Sequence, residues 1–539
     1  MEPVVIAPNG RASAVRHRGT RLLPGWGRIG SILLLAVGLG LAGWEQAHAR
    51  PQTQAPEKSR PAAGSTPKRI LIRESRGGPQ RPGTKPGPAP VAPARTSSMA
   101  PSPTDEGARP PAPEPAPSQA KRFRIRDESG LCVVARLHGQ YQGKSALLQP
   151  DGQLGFPSRL VPTDEPFVPM TSAALQARLQ EGPYAEYQVL TTPHYLIFYQ
   201  STFAFAQDSG RLLEDLYRGL IEVCRNRGIP VHETEFPLVA VIFATERDFR
   251  AHKQVEPEVQ AYYEFFTNRI FFYQQSDQDR ENPKVSALRK PQTVAHEGAH
   301  QILSNIGVQP RLGAWPLWLI EGLAEYCATP THKKKGVAWD RPGTINALHM
   351  ATLRELDDPF SNELEKGGAR PKPVKRDRWL IQAESLIPKT RLTPTDYAQA
   401  WALTHYLAQK PSGDFVKFLK SMSQMPPLEP RTPEAHLAEF RKFFGDDMAK
   451  IDKEADKYIR KLSQKPGYDP LPYYVVIFEQ PLGGGMVRRA ATVSQSPQVI
   501  EQWVQLMSSP QGGVANWQYF AYSTRSRAIS AMTEWMRSN

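Results

Sequence analysis

The chain has 539 residues and 52 prolines, with 67 Lys and Arg against 53 Asp and Glu for a formal charge of +14. That length exceeds one ordinary core and implies several domains. Residues 1–120 hold 16 Lys and Arg against 7 Asp and Glu, a net of +9, so the rest is nearly balanced; with no basic stripe interleaved with aromatics, nucleic acid is excluded as a partner.

Residues 1–28 carry five Arg and one Glu, followed by the apolar run Ile29 to Trp44 and then Ala47-His48-Ala49. A charged segment, an apolar segment and an AxA site in that order form a signal peptide, with an uncleaved membrane anchor over 29–44 as the alternative. Either way the remainder is exported to the periplasm, cell surface or medium. From Arg50 to about Ala120 there are 17 prolines and almost no large apolar residues, which predicts an extended, disordered stalk. Its charge offers a contact to anionic cell-envelope polymer.

Residues 121–168 change to short alternating apolar segments broken by Gly and by Asp151-Gly152, the pattern of a small β-barrel. It resembles the SH3-like accessory barrels of some secreted bacterial proteins. Strands are expected at Tyr195–Tyr199, Phe236–Phe243 and Asn268–Tyr273, with a long amphipathic helix near Gln207–Arg227 and a helix over Thr293–Asn305 capped by Thr293 and ended by Gly307. Helices dominate from 293 to about 462. A last module over 470–539 reads strand (Tyr473–Glu479), helix, strand (Trp517–Tyr522), helix, with Ala528, Ile529, Met532, Trp535 and Met536 on one face of the final helix. Cys132, Cys224 and Cys327 show no CxxC pair and are expected as small apolar core residues.

The segment QTVAHEGAHQILSNIG holds His296-Glu297-Gly298-Ala299-His300, an HExxH motif. Helical positions i and i+4 share a face, so both imidazoles reach one metal while Glu297 points to the same cleft. Catalytic zinc takes three protein ligands and keeps one open position, and PLWLIEGLAEY supplies Glu321 twenty-one residues after His300.

Over Trp318, Leu319, Glu321, Gly322 and Ala324 the chain resembles the gluzincin zinc metallopeptidases, whose second zinc helix carries this WLxEGxA pattern. It resembles in particular a group of uncharacterised exported bacterial gluzincin-like proteins sharing HExxH, WLxEGxAEY and YxxxWALxxYL segments. The resemblance spans about 190–460 and is strongest over 293–328. It implies Zn2+ held by His296, His300 and Glu321, Glu297 as general base, and Glu325, one turn after Glu321, accepting a hydrogen bond from a ligand His. The alternative for Glu325 is a solvated helix carboxylate. Tyr397 heads a segment like the gluzincin helix whose Tyr donates to an oxyanion. Ala398, Gln399 and Ala400 depart from the usual Glu, Lys and Gly there, so a packing role for Tyr397 stays open, and His405 reads as an ordinary helix residue. AYYEFFTNRIFFYQ stands either as an edge strand able to pair with extended substrate or as an internal strand. No GxMEN segment precedes HExxH, so recognition of a free amino terminus is not implied.

The expected fold class is α+β: a signal peptide or anchor (1–49), a Pro-rich linker (50–120), an SH3-like β-barrel (121–168), a gluzincin-like domain of mixed-sheet and helical lobes (185–462) and a small βαβα module (470–539). The expected function is an exported zinc-dependent hydrolase, a metallopeptidase acting on peptide or protein through a zinc-activated water. The alternative is a catalytically silent envelope-binding protein on the same scaffold.

Overall fold

The computed structural model describes residues 121–538 apart from 128–129, 258, 278, 280–282, 334–335, 358–379, 464–471, 484–485 and 509–511. The expected targeting segment and Pro-rich stalk therefore lie outside the described residues. Among those described, no helix is long and apolar enough to cross a membrane. The chain is α+β.

The first sheet is built from β1 (Arg122–Arg126), β2 (Cys132–Tyr141), β3 (Lys144–Leu148), β4 (Leu154–Gly155) and β5 (Val161–Pro162), antiparallel throughout in the order β4-β3-β2-β1-β5. Its small core is Ile125, Ala135 and Leu147. Helix α1 (Ser172–Gln180), capped by Thr171, follows without having been expected; its Ala, Leu and Gln are helix formers, but nine residues make little periodic signal.

The central sheet combines β6 (Gln188–Thr191), β7 (Tyr195–Tyr199), β8 (Leu238–Thr245), β9 (Ala261–Glu264) and β10 (Arg269–Gln275) in the order β6-β7-β8-β10-β9. The three central strands are parallel and the two edges antiparallel. Continuous burial of β7 and of Leu238–Phe243 fits strands covered on both faces. Helix α2 (Phe203–Asn226), capped by Thr202, crosses from β7 to β8 and buries Leu212, Leu213, Leu216 and Leu220 along one stripe. Helix α3 (Glu246–His252) follows β8.

Helix α4 (Pro283–Asn305) begins ten residues before the expected Thr293. Pro291 reads as a helix boundary because it has no N–H to donate, yet the helix continues through it. Thr293 is thus interior, its hydroxyl buried without a partner rather than capping. Gly307, at φ +90°, ends the helix as expected. Next comes α5 (Leu317–Ala328), buried at every residue except Ile320, as an all-round apolar helix must be. The hairpin β11 (Thr331–Lys333) and β12 (Gly336–Ala338) leads to α6 (Ala347–Asp357), α7 (Ala383–Leu386) and α8 (Pro394–Gln409), the last opened by a capping box of Thr393 and Asp396. Helices α9 (Asp414–Ser423), α10 (Pro433–Phe444) and α11 (Met448–Ser463) complete the helical part.

The final module is a sheet of β13 (Tyr473–Gly483), β14 (Met486–Ser494) and β15 (Asn516–Tyr522) in the order β14-β13-β15, with α12 (Pro497–Met507) and α13 (Arg525–Ser538). Strand β14 was not expected from the sequence, since Arg488 and Arg489 interrupt its apolar pattern; the module is ββαβα. Ala528 on α13 is buried, whereas Met536 is exposed at the fraying end. Cys224 and Cys327 are buried thiols as expected; Cys132 differs, lying exposed at the start of β2.

Candidate metal centre

Two close helix contacts bring the chemistry together. A Cβ on Gly298 would lie 2.5 Å from Leu213 of α2, and one on Gly322 would lie 2.5 Å from both the Ala400 carbonyl and the Thr404 hydroxyl of α8. Glycine at each position lets α4 settle on α2 and α5 on α8 at backbone distance. Helices α4 and α5 also pack on each other.

At that junction the imidazoles of His296 and His300 face one another edge to face, with their Nε2 atoms 3.0 Å apart. Glu321 Oε2 lies 3.3 Å from His296 Nε2 and 3.6 Å from His300 Nε2. For a tetrahedral cation with bonds of about 2.0 Å, ligand atoms stand about 3.3 Å apart, so the three spacings match. Glu321 Oε2 is buried and takes no hydrogen bond, leaving its lone pairs turned to the same point. His296, His300 and Glu321 thus fit a divalent metal ion.

The surroundings are dry. His296, Glu297, His300, Glu321 and Tyr397 are each at most 6% exposed. Burial pushes the Glu297 carboxyl above its usual range, the positive character of His296 and His300 and the Tyr263 backbone N–H notwithstanding, and among the described residues neither oxygen meets a side-chain donor. Burial also raises Glu321, but His300 and His296 overcome it and hold the group down at about 2. The Tyr397 phenol, on the first turns of α8, is driven well above its ordinary value by burial and by the carboxylates of Glu321, Glu325 and Glu297. Its hydroxyl likewise has no partner among the described residues.

Glu325 is fully buried, which removes the solvated reading, and its Oε1 lies 3.2 Å from His296 Nδ1. His405 is turned away from the ligands: Nε2 meets the Gly343 carbonyl at 3.0 Å and Nδ1 the Tyr458 hydroxyl at 2.8 Å. The aromatic segment before α4 contains both expected strand types. AYYE is β9, at the sheet edge beside α4, and RIFFYQQ is β10, internal between β8 and β9. Three residues around Glu325 were not singled out from the sequence: Gln292, Asn346 and His349. Gln292 sits one turn before His296 and follows from helical spacing once α4 is extended; Asn346 lies just before α6 and His349 on its first turn, a segment with no motif of its own. A surface cavity of about 490 Å³ beside His194, Tyr217 and Arg225 shares no residue with this centre.

Residues 290–429, well under half of the chain, match a family described as a protein of unknown function, DUF1570. No curated protein matches. Among solved structures the chain is similar to an M1 zinc metallopeptidase from Deinococcus radiodurans, a mutant bound to a Tyr-Ser-Ala substrate, at 13% identity and a TM-score of 0.22. That likeness covers 52% of this chain and spans 53% of the other. Overlap this limited carries no argument about the chemistry, which rests on the geometry above.

Proposed function

We propose that this protein is an exported zinc metallopeptidase with the metal on His296, His300 and Glu321. The observation that carries the reading is the convergence of those three donor atoms at 3.0–3.6 Å beside the buried carboxylate of Glu297. A structural zinc is usually closed by a fourth protein ligand and has no use for an adjacent base. Zinc, when bound, lowers the pKa of water and polarises a carbonyl. Glu297, lifted by burial toward the working pH, accepts the proton of the attacking water and returns it to the leaving amine. Tyr397 donates its unengaged hydroxyl to the oxyanion. The edge strand β9 beside α4 offers backbone groups to an extended peptide.

Glu297→Gln in the full chain is the test, because the residue is not a ligand. We expect zinc content and thermal midpoint to hold while peptide cleavage falls by about a hundredfold or more. Equal cleavage at equal zinc occupancy removes Glu297 from the mechanism and favours a silent envelope-binding protein. Export rests on residues 1–49: full-length chain recovered from the cytoplasm with its first 49 residues intact would refute both the cleaved and the anchored form.

A further inference from the structure

The structure assigns His349 as a positioning residue for the metal: from α6 it helps pin one oxygen of Glu325, so that the other is reserved for His296. This rests on the metal reading above and extends it beyond the motif-bearing helices.

Glu325 is surrounded by four donors that are unevenly shared. Oε2 receives the Gln292 amide at 3.0 Å, the Asn346 amide at 3.1 Å and His349 Nε2 at 3.0 Å. Oε1 meets, among the described residues, His296 Nδ1 at 3.2 Å. Both imidazoles approach off the linear hydrogen-bond direction, at ion-pair distance. A carboxylate has about four lone-pair sites, two on each oxygen, so three donors crowd Oε2 and fix the rotation of the group. With the carboxylate unable to turn, Oε1 holds the proton of His296 on Nδ1 and leaves the Nε2 lone pair for the metal.

His349 is itself held firmly. Asn346 accepts the backbone N–H groups of Leu348 at 3.0 Å and His349 at 3.1 Å while its amide donates to Glu325. The ring packs beside Trp401 at 5.8 Å, and the residue is buried. An imidazole contributed by a third helix is a costly group to bury for packing alone. Its contact with Glu325 Oε2 at 3.0 Å gives it a use.

The test measures zinc affinity of the full chain by competition with a chromophoric chelator, independently of activity. His349→Phe fills the space without a donor, and we expect zinc to bind about 10- to 100-fold more weakly. His349→Gln keeps an N–H donor and is expected to restore most of the affinity. Thermal midpoints of the metal-free proteins run alongside, and His349→Leu provides a second donor-free side chain of different shape should the Phe variant not fold. Wild-type affinity in the donor-free variants overturns the proposal. So does a Gln variant as weak as Phe at equal metal-free stability. His300→Ala separates the two readings: if it binds zinc like the wild type, the metal assignment itself fails, whereas if it loses zinc and His349→Phe does not, only the positioning role fails.

Discussion

At Tyr397 a buried hydroxyl has no partner among the described residues, an arrangement that costs about 1–3 kcal/mol wherever it occurs. A packing aromatic gains nothing from that hydroxyl, so Phe would be the better residue on stability alone. Tyr397→Phe is therefore expected to keep or raise the thermal midpoint and to retain zinc. Turnover should fall about 10²- to 10³-fold, the usual loss for one oxyanion donor. Unchanged turnover would return Tyr397 to the packing role. His300 gives the complementary outcome. Its Nε2 is one of three converging donors, so His300→Ala should lose most bound zinc, and elemental analysis showing about one zinc per chain in that variant would sink the ligand set.

Helix packing makes a graded prediction from two glycines. At Gly322 an added Cβ meets the Ala400 carbonyl and the Thr404 hydroxyl, and backbone cannot move aside without parting α5 from α8. At Gly298 it meets Leu213 Cδ2, the far end of a side chain that can change rotamer. Gly322→Ala should cost about 1–3 kcal/mol or more and weaken zinc, because Glu321 rides on the displaced helix. Gly298→Ala should cost less. Denaturant unfolding of both variants with zinc titration checks the order, and the reverse order would mean that α4, not α5, is the rigid element. Both glycines fall inside the sequence motifs, but the spacing signals metal ligands and says nothing of which helix must come close.

Across the molecule, the first sheet is fastened to the segments around the central sheet and α4 by several ties. His138 Nε2 meets the Arg311 carbonyl at 2.7 Å, the Arg311 guanidinium donates to the Gly152 carbonyl, the Leu154 amide donates to the Phe266 carbonyl, and Arg136 pairs with Glu235. Burial, together with Arg311 and Arg136, pushes His138 down from 6.5 to about 4, against the pull of the Arg311 carbonyl. A depressed folded pKa means that the contribution is intact above pH 6.5 and is lost as pH falls through about 4. The wild-type thermal midpoint should therefore drop across that window, and His138→Gln should flatten the drop; parallel curves would exclude His138 as the acid-sensitive tie. The last module is fastened at the other side by Glu355 of α6, which accepts the Arg525 amide at 2.6 Å, the Ser526 amide at 2.9 Å and the Ser526 hydroxyl. Glu355→Ala should leave zinc bound and speed proteolysis within residues 472–538; unaltered digestion would show that this contact is dispensable.

The sequence alone determined what depends on short-range geometry. His296 and His300 share a helical face because the α-helix repeats every 3.6 residues, and Glu325 lies one turn from Glu321 for the same reason. Gly307 could be read as the helix end because only a residue without a Cβ enters the left-handed region freely. Apolar runs also marked β7, β8 and β10. Short or charged strands such as β6 and β14 were not legible, since their place in a sheet is set by partners far away in the chain. Nor could local pattern decide whether α4 continues through Pro291. Only tertiary structure brought Gln292 of α4, Asn346 just before α6 and His349 of α6 onto one oxygen of Glu325 and buried Glu297 and Tyr397 beside them. Those arrangements follow from packing and desolvation between segments whose spacing along the chain carries no periodic signal.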